Sequence, residues 1–137
     1  MAIPNGAGGY QVGDGNVSDP FIDLTADPIS ITATATLTPA QVLNGLILAN
    51  SGITSAQTYT LPTVSDLEAV LVNSERIGTT FSFKLVNLGT SSGTAIVAAG
   101  TGWTVSGSLT MTIPVTTGAE LLARKTAAGA WTLYRVR

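Results

Sequence analysis

Apolar and polar residues alternate from Ile29 to Thr36, with threonine at every second position in the later part of the segment. Successive side chains of a β-strand point to opposite faces, so a period of two predicts one strand over residues 29–36. Similar short segments, bounded by Gly, Pro or Asn-Ser turns, predict further strands along the chain. These are a strand beginning at Leu46 and segments 58–61, 80–88, 94–99, 103–105, 108–113, 120–126 and 131–136.

One segment has the spacing of a helix instead, because its apolar residues recur at intervals of three and four. The residues on this stripe are Val64, Leu67, Val70 and Leu71. Ser65 and Glu68 have the spacing of a capping box. We therefore predict a helix over about residues 64–73. A shorter helical turn is expected after Thr38, since a threonine followed by proline is a common helix start.

The last two predicted strands are joined by Ala127-Ala128-Gly129, a connection short enough for a β-hairpin. Many short strands separated by turns are typical of a sandwich or barrel. The sequence therefore predicts a mainly β fold. We expect a small β-sandwich or barrel-like domain over residues 29–137, with one short helix at about 64–73 and an extended N-terminal arm over residues 1–28.

The predicted arm is rich in glycine, with five glycines between Gly6 and Gly15, and it shows no sustained helix or strand period. It nevertheless keeps large apolar side chains, which disordered tails usually lack. We expect these side chains to bind a partner protein. They are Ile3, Tyr10, Val12, Phe21, Ile22 and Leu24.

Composition narrows the classes of function. Of the 137 residues, 45% are hydrophobic and only 10% are charged, against a typical charged share of about 25%. Such a surface must consist largely of Thr, Ser, Asn and Gly, or be covered by partner subunits. The net charge of −2 argues against a nucleic-acid partner, which would require a basic surface. No apolar run reaches the roughly 18 residues of a membrane span, so no membrane partner is expected.

The few charges are unevenly distributed along the chain. Before Ile29 every charged side chain is an aspartate, and after Glu120 every one is basic. The acidic residues are Asp14, Asp19, Asp23 and Asp27, and the basic ones are Arg124, Lys125, Arg135 and Arg137. Because exposed ion pairs contribute only about 0–1 kcal/mol each, this asymmetry would orient partners more than it would stabilise the fold.

The chain contains no Cys and no His. Thiolate nucleophiles, imidazole bases and the usual zinc ligands are therefore excluded, and we expect neither a cofactor nor a metal site. Asp14, Asn16 and Ser18 have the alternate spacing that begins a calcium loop, but the required Gly and Glu are replaced by Asp19 and Thr25. A solvated turn explains this spacing better, although it leaves open a weak cation site between subunits.

Residues 89–93 fit the Gly-x-Ser-x-Gly pattern of a hydrolase nucleophile. That chemistry needs a base beside Ser91 and a strand–turn–helix context. The chain has no histidine, and the predicted strands on both sides favour a β-turn instead.

Two residue pairs have a functional and a structural interpretation. Asp66 and Glu68 are two carboxylates, but residues two apart on a helix do not face each other, and negative charge near a helix start is stabilising. Trp103 and Trp131 are compatible with a sugar-stacking platform, but we favour packing in the core or at a subunit interface.

Four motifs, taken in order, resemble those of a group of tailed-phage virion proteins that includes capsid decoration and head-fibre proteins. The motifs are Tyr59-Thr60-Leu61-Pro62-Thr63, the strand 81–87 ending in Asn87, Ala98-Ala99-Gly100-Thr101-Gly102, and Thr132-Leu133-Tyr134-Arg135. The resemblance spans residues 57–136. It implies a β-rich, often trimeric protein without catalysis or cofactor, in which an extended terminus can add a strand to the capsid protein.

We therefore expect a structural virion protein and not an enzyme: a homotrimeric capsid decoration, or cement, protein that is made in the host cytoplasm and binds the major capsid protein on the outer capsid surface. The alternative is a head- or tail-fibre module that takes part in attachment to the host surface. A hydrolase is disfavoured, because no base accompanies the serine and the carboxylates are not paired across a cleft.

Overall fold

Two β-sheets form most of the structure, a computed structural model that describes residues 26–106 and 111–137. The strands are β1 (Ile29–Ile31), β2 (Ala35–Thr36), β3 (Leu46–Ala49), β4 (Gln57–Thr60), β5 (Thr80–Asn87), β6 (Ala95–Ala98), β7 (Trp103–Ser106), β8 (Thr112–Ile113), β9 (Gly118–Ala127) and β10 (Ala130–Arg135). The helices are α1 (Pro39–Leu43) and α2 (Val64–Val70). The predicted mainly β fold with two packed sheets is confirmed, as is the hairpin formed by β9 and β10.

The first nine strands alternate between the two sheets. One sheet has the order β1-β3-β5-β9-β10-β7 and the other β2-β4-β6-β8. Within them β1, β3 and β5 are parallel, and so are β2, β4 and β6. The chain thus runs through three stacked coils, each crossing both sheets once. Parallel neighbours need a long crossover, and here the strand in the opposite sheet, followed by α1 or α2, provides it for the first two coils.

The single strand predicted over residues 29–36 is wrong, because the segment bends and contributes one strand to each sheet. Thr34 lies at the bend, where its backbone N–H and its hydroxyl both donate to Gln57 Oε1 at 2.8 and 2.9 Å. The Thr58 N–H donates in turn to the Thr34 hydroxyl at 3.1 Å. The alternation continues through the bend, so a period of two could not reveal it.

There are two helices among the described residues, not the one that was predicted. The expected turn after Thr38 is the helix α1, with a capping box in which Gln41 N–H donates to Thr38 Oγ1 and Thr38 N–H donates to Gln41 Oε1. The predicted helix is α2, which ends at Val70 instead of residue 73. The predicted capping box at Ser65 is also wrong, since the N-cap is Thr63, whose hydroxyl accepts the Asp66 N–H.

The core lies between the sheets and is closed by the two helices. Both sheets and both helices contribute fully buried side chains to it. The largest are Trp131, Tyr59, Phe83, Leu37, Ile47, Leu61, Leu67, Leu85, Ile113, Leu121, Leu133 and Val42. Trp103 packs on Trp131 with ring centroids 6.1 Å apart. The core interpretation of both tryptophans is therefore confirmed, and neither ring is available as a sugar platform.

A buried polar cluster joins the three coils where they pass from one sheet to the other. The side-chain amides of Asn50 and Asn87 both donate to the Gly93 carbonyl, at 2.7 and 3.0 Å. The Tyr59 hydroxyl lies within hydrogen-bonding distance of Asn50 Oδ1 and of the Ile31 carbonyl. Ile31 belongs to the first coil, Asn50 and Tyr59 to the second, and Asn87 to the third. Each coil is thus tied to the next by side-chain hydrogen bonds in addition to the strand ladders.

Two of the sequence motifs interlock in the structure. The turn that contains Gly100 packs on the segment entering α2, and the Trp103 indole N–H donates to the Pro62 carbonyl at 2.8 Å. A Cβ atom at Gly100 would lie 2.2 Å from the Leu61 carbonyl oxygen, and one at Gly102 would lie 2.8 Å from Val64 Cβ. The glycines are therefore required by a close backbone approach.

We expect Gly100→Ala to lower the free energy of unfolding by about 1–3 kcal/mol, because the added methyl group must displace the Leu61 backbone. Urea or thermal denaturation at fixed chain concentration measures this. Stability equal to that of the wild type would contradict the interlocked packing.

Candidate protein-binding surface

A cluster of exposed apolar side chains lies at the end of α2 and in the connection to β5. Val70, Val72 and Ile77 are 55%, 75% and 65% exposed, the highest values among large hydrophobic residues in the described ranges. Isolated exposed apolar residues are normal, but three within eight consecutive residues are unusual, and exposed apolar surface of this kind is a candidate interaction site. We call residues 70–77 the apolar loop.

Backbone hydrogen bonds hold the apolar loop and its C-terminal flank in one conformation. Ser74 donates to the Leu71 carbonyl through both its N–H, at 3.1 Å, and its hydroxyl, at 2.7 Å. The Gly78 N–H donates to the Lys125 carbonyl, and the Lys125 N–H donates to the Thr79 carbonyl, both at 2.9 Å. The loop is therefore anchored directly to β9.

A buried ion pair completes this anchor. Lys125 lies on the core-facing side of β9, and its ammonium group is 2.7 Å from Glu68 Oε1 on α2. The same ammonium donates to the Ser74 carbonyl at 2.8 Å, inside the apolar loop. The Trp131 indole N–H also donates to Glu68 Oε1, at 3.0 Å. One carboxylate and one ammonium thus connect α2, the apolar loop and two strands of the six-stranded sheet.

The electrostatics of this pair are favourable because both charges are compensated. The Lys125 side chain is 7% exposed and that of Glu68 is 26% exposed, so an unpaired Lys125 would carry a large desolvation penalty. The hydrogen bonds from Lys125, and next from Trp131, hold the pKa of the Glu68 carboxyl below its ordinary value against the opposing effect of burial. Glu68 therefore stays ionised at neutral pH and keeps Lys125 paired.

The sequence does not predict this pair. Glu68 reads as a favourable charge near a helix start and Lys125 as part of the basic stretch near the C-terminus, and the two residues are 57 positions apart. One signal was present in the sequence. Lys125 continues the every-second-residue pattern of Leu121 and Ala123, which are buried, so the alternation placed a lysine on the core side of the strand.

The arm residues Ile3, Tyr10, Val12, Phe21, Ile22 and Leu24 lie outside the described residues, as does the Asp14-Asn16-Ser18 spacing. Ser91 is exposed in the connection from β5 to β6, with a φ of 56°, so the turn interpretation of residues 89–93 is confirmed.

Over residues 26–106 and 111–137, no group of three or more Asp, Glu, His or Cys side chains is arranged to hold a metal ion. Among the helices of the same ranges, none is long and apolar enough to cross a membrane. In the described part of the chain, the apolar loop is the surface best suited to binding a protein.

Comparison of the chain with known protein families, with curated proteins and with solved structures finds no match.

We expect Glu68→Gln to lower the free energy of unfolding at pH 7 by about 2 kcal/mol, because it removes a charged hydrogen-bond partner from a buried ammonium. Asp27→Asn is the control, since it makes the same charge change at an exposed position outside the apolar loop. Chemical denaturation of both variants measures the difference. Equal stabilities would show that the ion pair does not stabilise the fold.

The same pair predicts a pH dependence. A carboxyl whose pKa is lowered by folding stabilises the protein above its unfolded-state pKa, about 4.3 for Glu, and that stabilisation is lost as the pH falls through the folded-state pKa. The difference in stability between wild type and Glu68→Gln should therefore narrow as the pH is lowered below about 4.3. A gap of the same size at pH 7 and at pH 3 would contradict this.

Proposed function

We propose that this chain is a structural virion protein and not an enzyme: a homotrimeric capsid decoration, or cement, protein that binds the major capsid protein on the outer surface of a tailed-phage shell. The observation that carries the proposal is the apolar loop, in which Val70, Val72 and Ile77 are exposed while the backbone is fixed by buried contacts. Such a loop suits a contact between the subunits of an assembly.

A surface of this kind suits binding to protein. Binding an ordered loop costs less conformational entropy than ordering a mobile one, so more of the contact energy remains as affinity. The centres of protein interfaces are poor in charge and rich in apolar side chains. Only 10% of the residues of the chain are charged, so the surface outside the apolar loop is also poor in charge.

The sheet edges offer a second mode of attachment. β1 and β2, which follow each other in the chain, are edge strands of the two sheets. An edge strand presents unpaired backbone groups to which another chain can add a strand. Residues 26–28, the last of the predicted arm, lead directly into β1.

The motif resemblance supports the choice of a virion protein among protein-binding functions. Its residues lie at structural positions of this fold: Pro62 and Gly100 in the interlocked turns, and Asn87 in the cluster that joins the coils. A cement protein acts mechanically, since contacts that bridge neighbouring capsid subunits are lost if the shell opens. Several such contacts per trimer would raise the resistance of the shell to rupture.

The proposed assembly predicts a trimer in solution. Three chains of 13.9 kDa would have a mass of about 42 kDa, and closed cyclic symmetry would bury apolar surface that a monomer exposes. Size-exclusion chromatography with multi-angle light scattering measures this mass. A monomer that persists across a wide range of concentration would contradict it.

The proposed role predicts an effect on the particle. Virions produced from the genome that encodes this chain should release their DNA at lower temperature, or after weaker osmotic shock, when the gene is deleted. Electron microscopy of both particles should show the chain on the outer shell. Unchanged shell stability together with lost adsorption to the host would overturn the cement role and support the alternative of a fibre module.

The proposed role of the arm is tested by truncation. Deleting residues 1–19 should leave the domain folded but sharply weaken binding to particles that lack the protein, because the deletion removes Ile3, Tyr10 and Val12. Circular dichroism checks the fold, and co-sedimentation with the particles measures binding. Undiminished binding would show that the β domain alone attaches to the shell.

A further inference from the structure

A shallow depression of about 320 Å³ lies on the outer face of the six-stranded sheet, between β5 and β9. Leu85 and Ala119 point into the core, so their neighbours Lys84, Val86 and Gly118 face outward by strand alternation. Val86 and Gly118 are opposite each other in the ladder. Because Gly118 has no side chain, the outer face is open beside Val86.

The rim of this depression carries charges of both signs. Lys84 and Glu120 occupy opposite positions on β5 and β9, and Arg137 Nε lies 3.7 Å from Glu120 Oε2. The lining is mostly apolar between these charges. The depression would therefore suit an apolar side chain that is flanked by one acidic and one basic residue.

The apolar loop has this composition. Ile77 follows Glu75 and Arg76 directly, and all three side chains are exposed. The two surfaces are thus complementary in both respects: an apolar projection matches an apolar depression, and a pair of opposite charges matches a rim of opposite charges. Complementarity of this kind fixes the orientation of partners.

The two surfaces of one chain lie too far apart to contact each other. The connection from the apolar loop enters β5 at Thr80, and the depression lies four to six residues further along that strand, a distance of about 13–20 Å. The loop follows α2, which packs on the core side of the sheet through Leu67 and Glu68, whereas the depression is on the opposite face. A contact between them must join two copies.

We propose that the apolar loop of one copy inserts Ile77 into the depression beside Gly118 of a second copy, forming a head-to-tail interface. Such a heterologous contact uses two different surfaces on each chain and closes into a ring when the rotation between copies permits. It rests on the proposed homotrimer and assigns the contact that would build it.

Single variants test each side of this interface. Ile77→Asp places a charge at the end of the apolar loop. Gly118→Leu fills the depression, and the Cβ atom it adds is accommodated because its nearest neighbour lies 3.4 Å away. Each should raise the dissociation constant of the assembly by at least about 100-fold, the effect of losing a central contact. Ser91→Asp is the control, at an exposed turn position outside both surfaces, and it should remain assembled.

Mixing the two variants tests directly whether the contact joins two different surfaces. Ile77→Asp retains an intact depression and Gly118→Leu retains an intact loop, so together they can form one complete interface. Light scattering should then show a 1:1 dimer of about 28 kDa, twice the chain mass of 13.9 kDa, although neither variant assembles alone. If either variant fails to fold by circular dichroism, Ile77→Ser and Gly118→Val make the same changes more mildly.

The outcomes separate this inference from the proposed function. If the wild type is a trimer and both variants remain trimers, the interface is wrong and the virion role stands. If both variants are monomers and their mixture is also monomeric, the contact is not head-to-tail, which overturns the inference. A monomeric wild type would overturn this interface and the proposed trimer together.

Discussion

The buried hydrogen bonds of Asn50, Tyr59 and Asn87 are the constraint on which the rest of the fold depends. Parallel strands that alternate between two sheets leave backbone carbonyls at every passage from one sheet to the other, and a buried carbonyl without a donor is costly. Here side-chain amides supply the donors, and in the described ranges every buried side-chain nitrogen and oxygen has a partner. With the coils held in register, the strand ladders can form on both sides of one core.

A second polar contact, the ion pair of Lys125 and Glu68, has a different structural role. The pair of Lys125 and Glu68 does not hold the coils together but fixes α2 and the apolar loop against the finished sheet. In the core, the Trp131 indole donates a hydrogen bond to Glu68, and its ring packs against Phe81 and Trp103. A rigid core is therefore the condition for presenting apolar side chains to water in a fixed arrangement, and that arrangement is what a binding partner would recognise.

Local patterns predicted much of the fold. Alternation found most of the strands, including the long β5 and β9, and the three- and four-residue spacing found α2. The errors are instructive. The bend at Thr34 does not show in the sequence because side-chain alternation carries no information on backbone direction. The predicted end of α2 is too late because Leu71 continues the apolar stripe, although it is the C-cap and its N–H makes the last helical hydrogen bond, to the Leu67 carbonyl. The pairing of Lys125 with Glu68 was missed because no local pattern links residues so far apart.

Composition and alternation establish the class of the protein: a mainly β chain without Cys or His, poor in charge, whose glycines and asparagines mark the turns. They do not establish which strands are parallel, which asparagines are buried donors, or which apolar residues remain exposed, and these features appear only in the folded chain. The physical reason is that alternation and composition report the preference of each residue for core or solvent. Strand order, by contrast, depends on contacts between residues such as Ile29, Ile47 and Leu85, which become neighbours only when the coils stack.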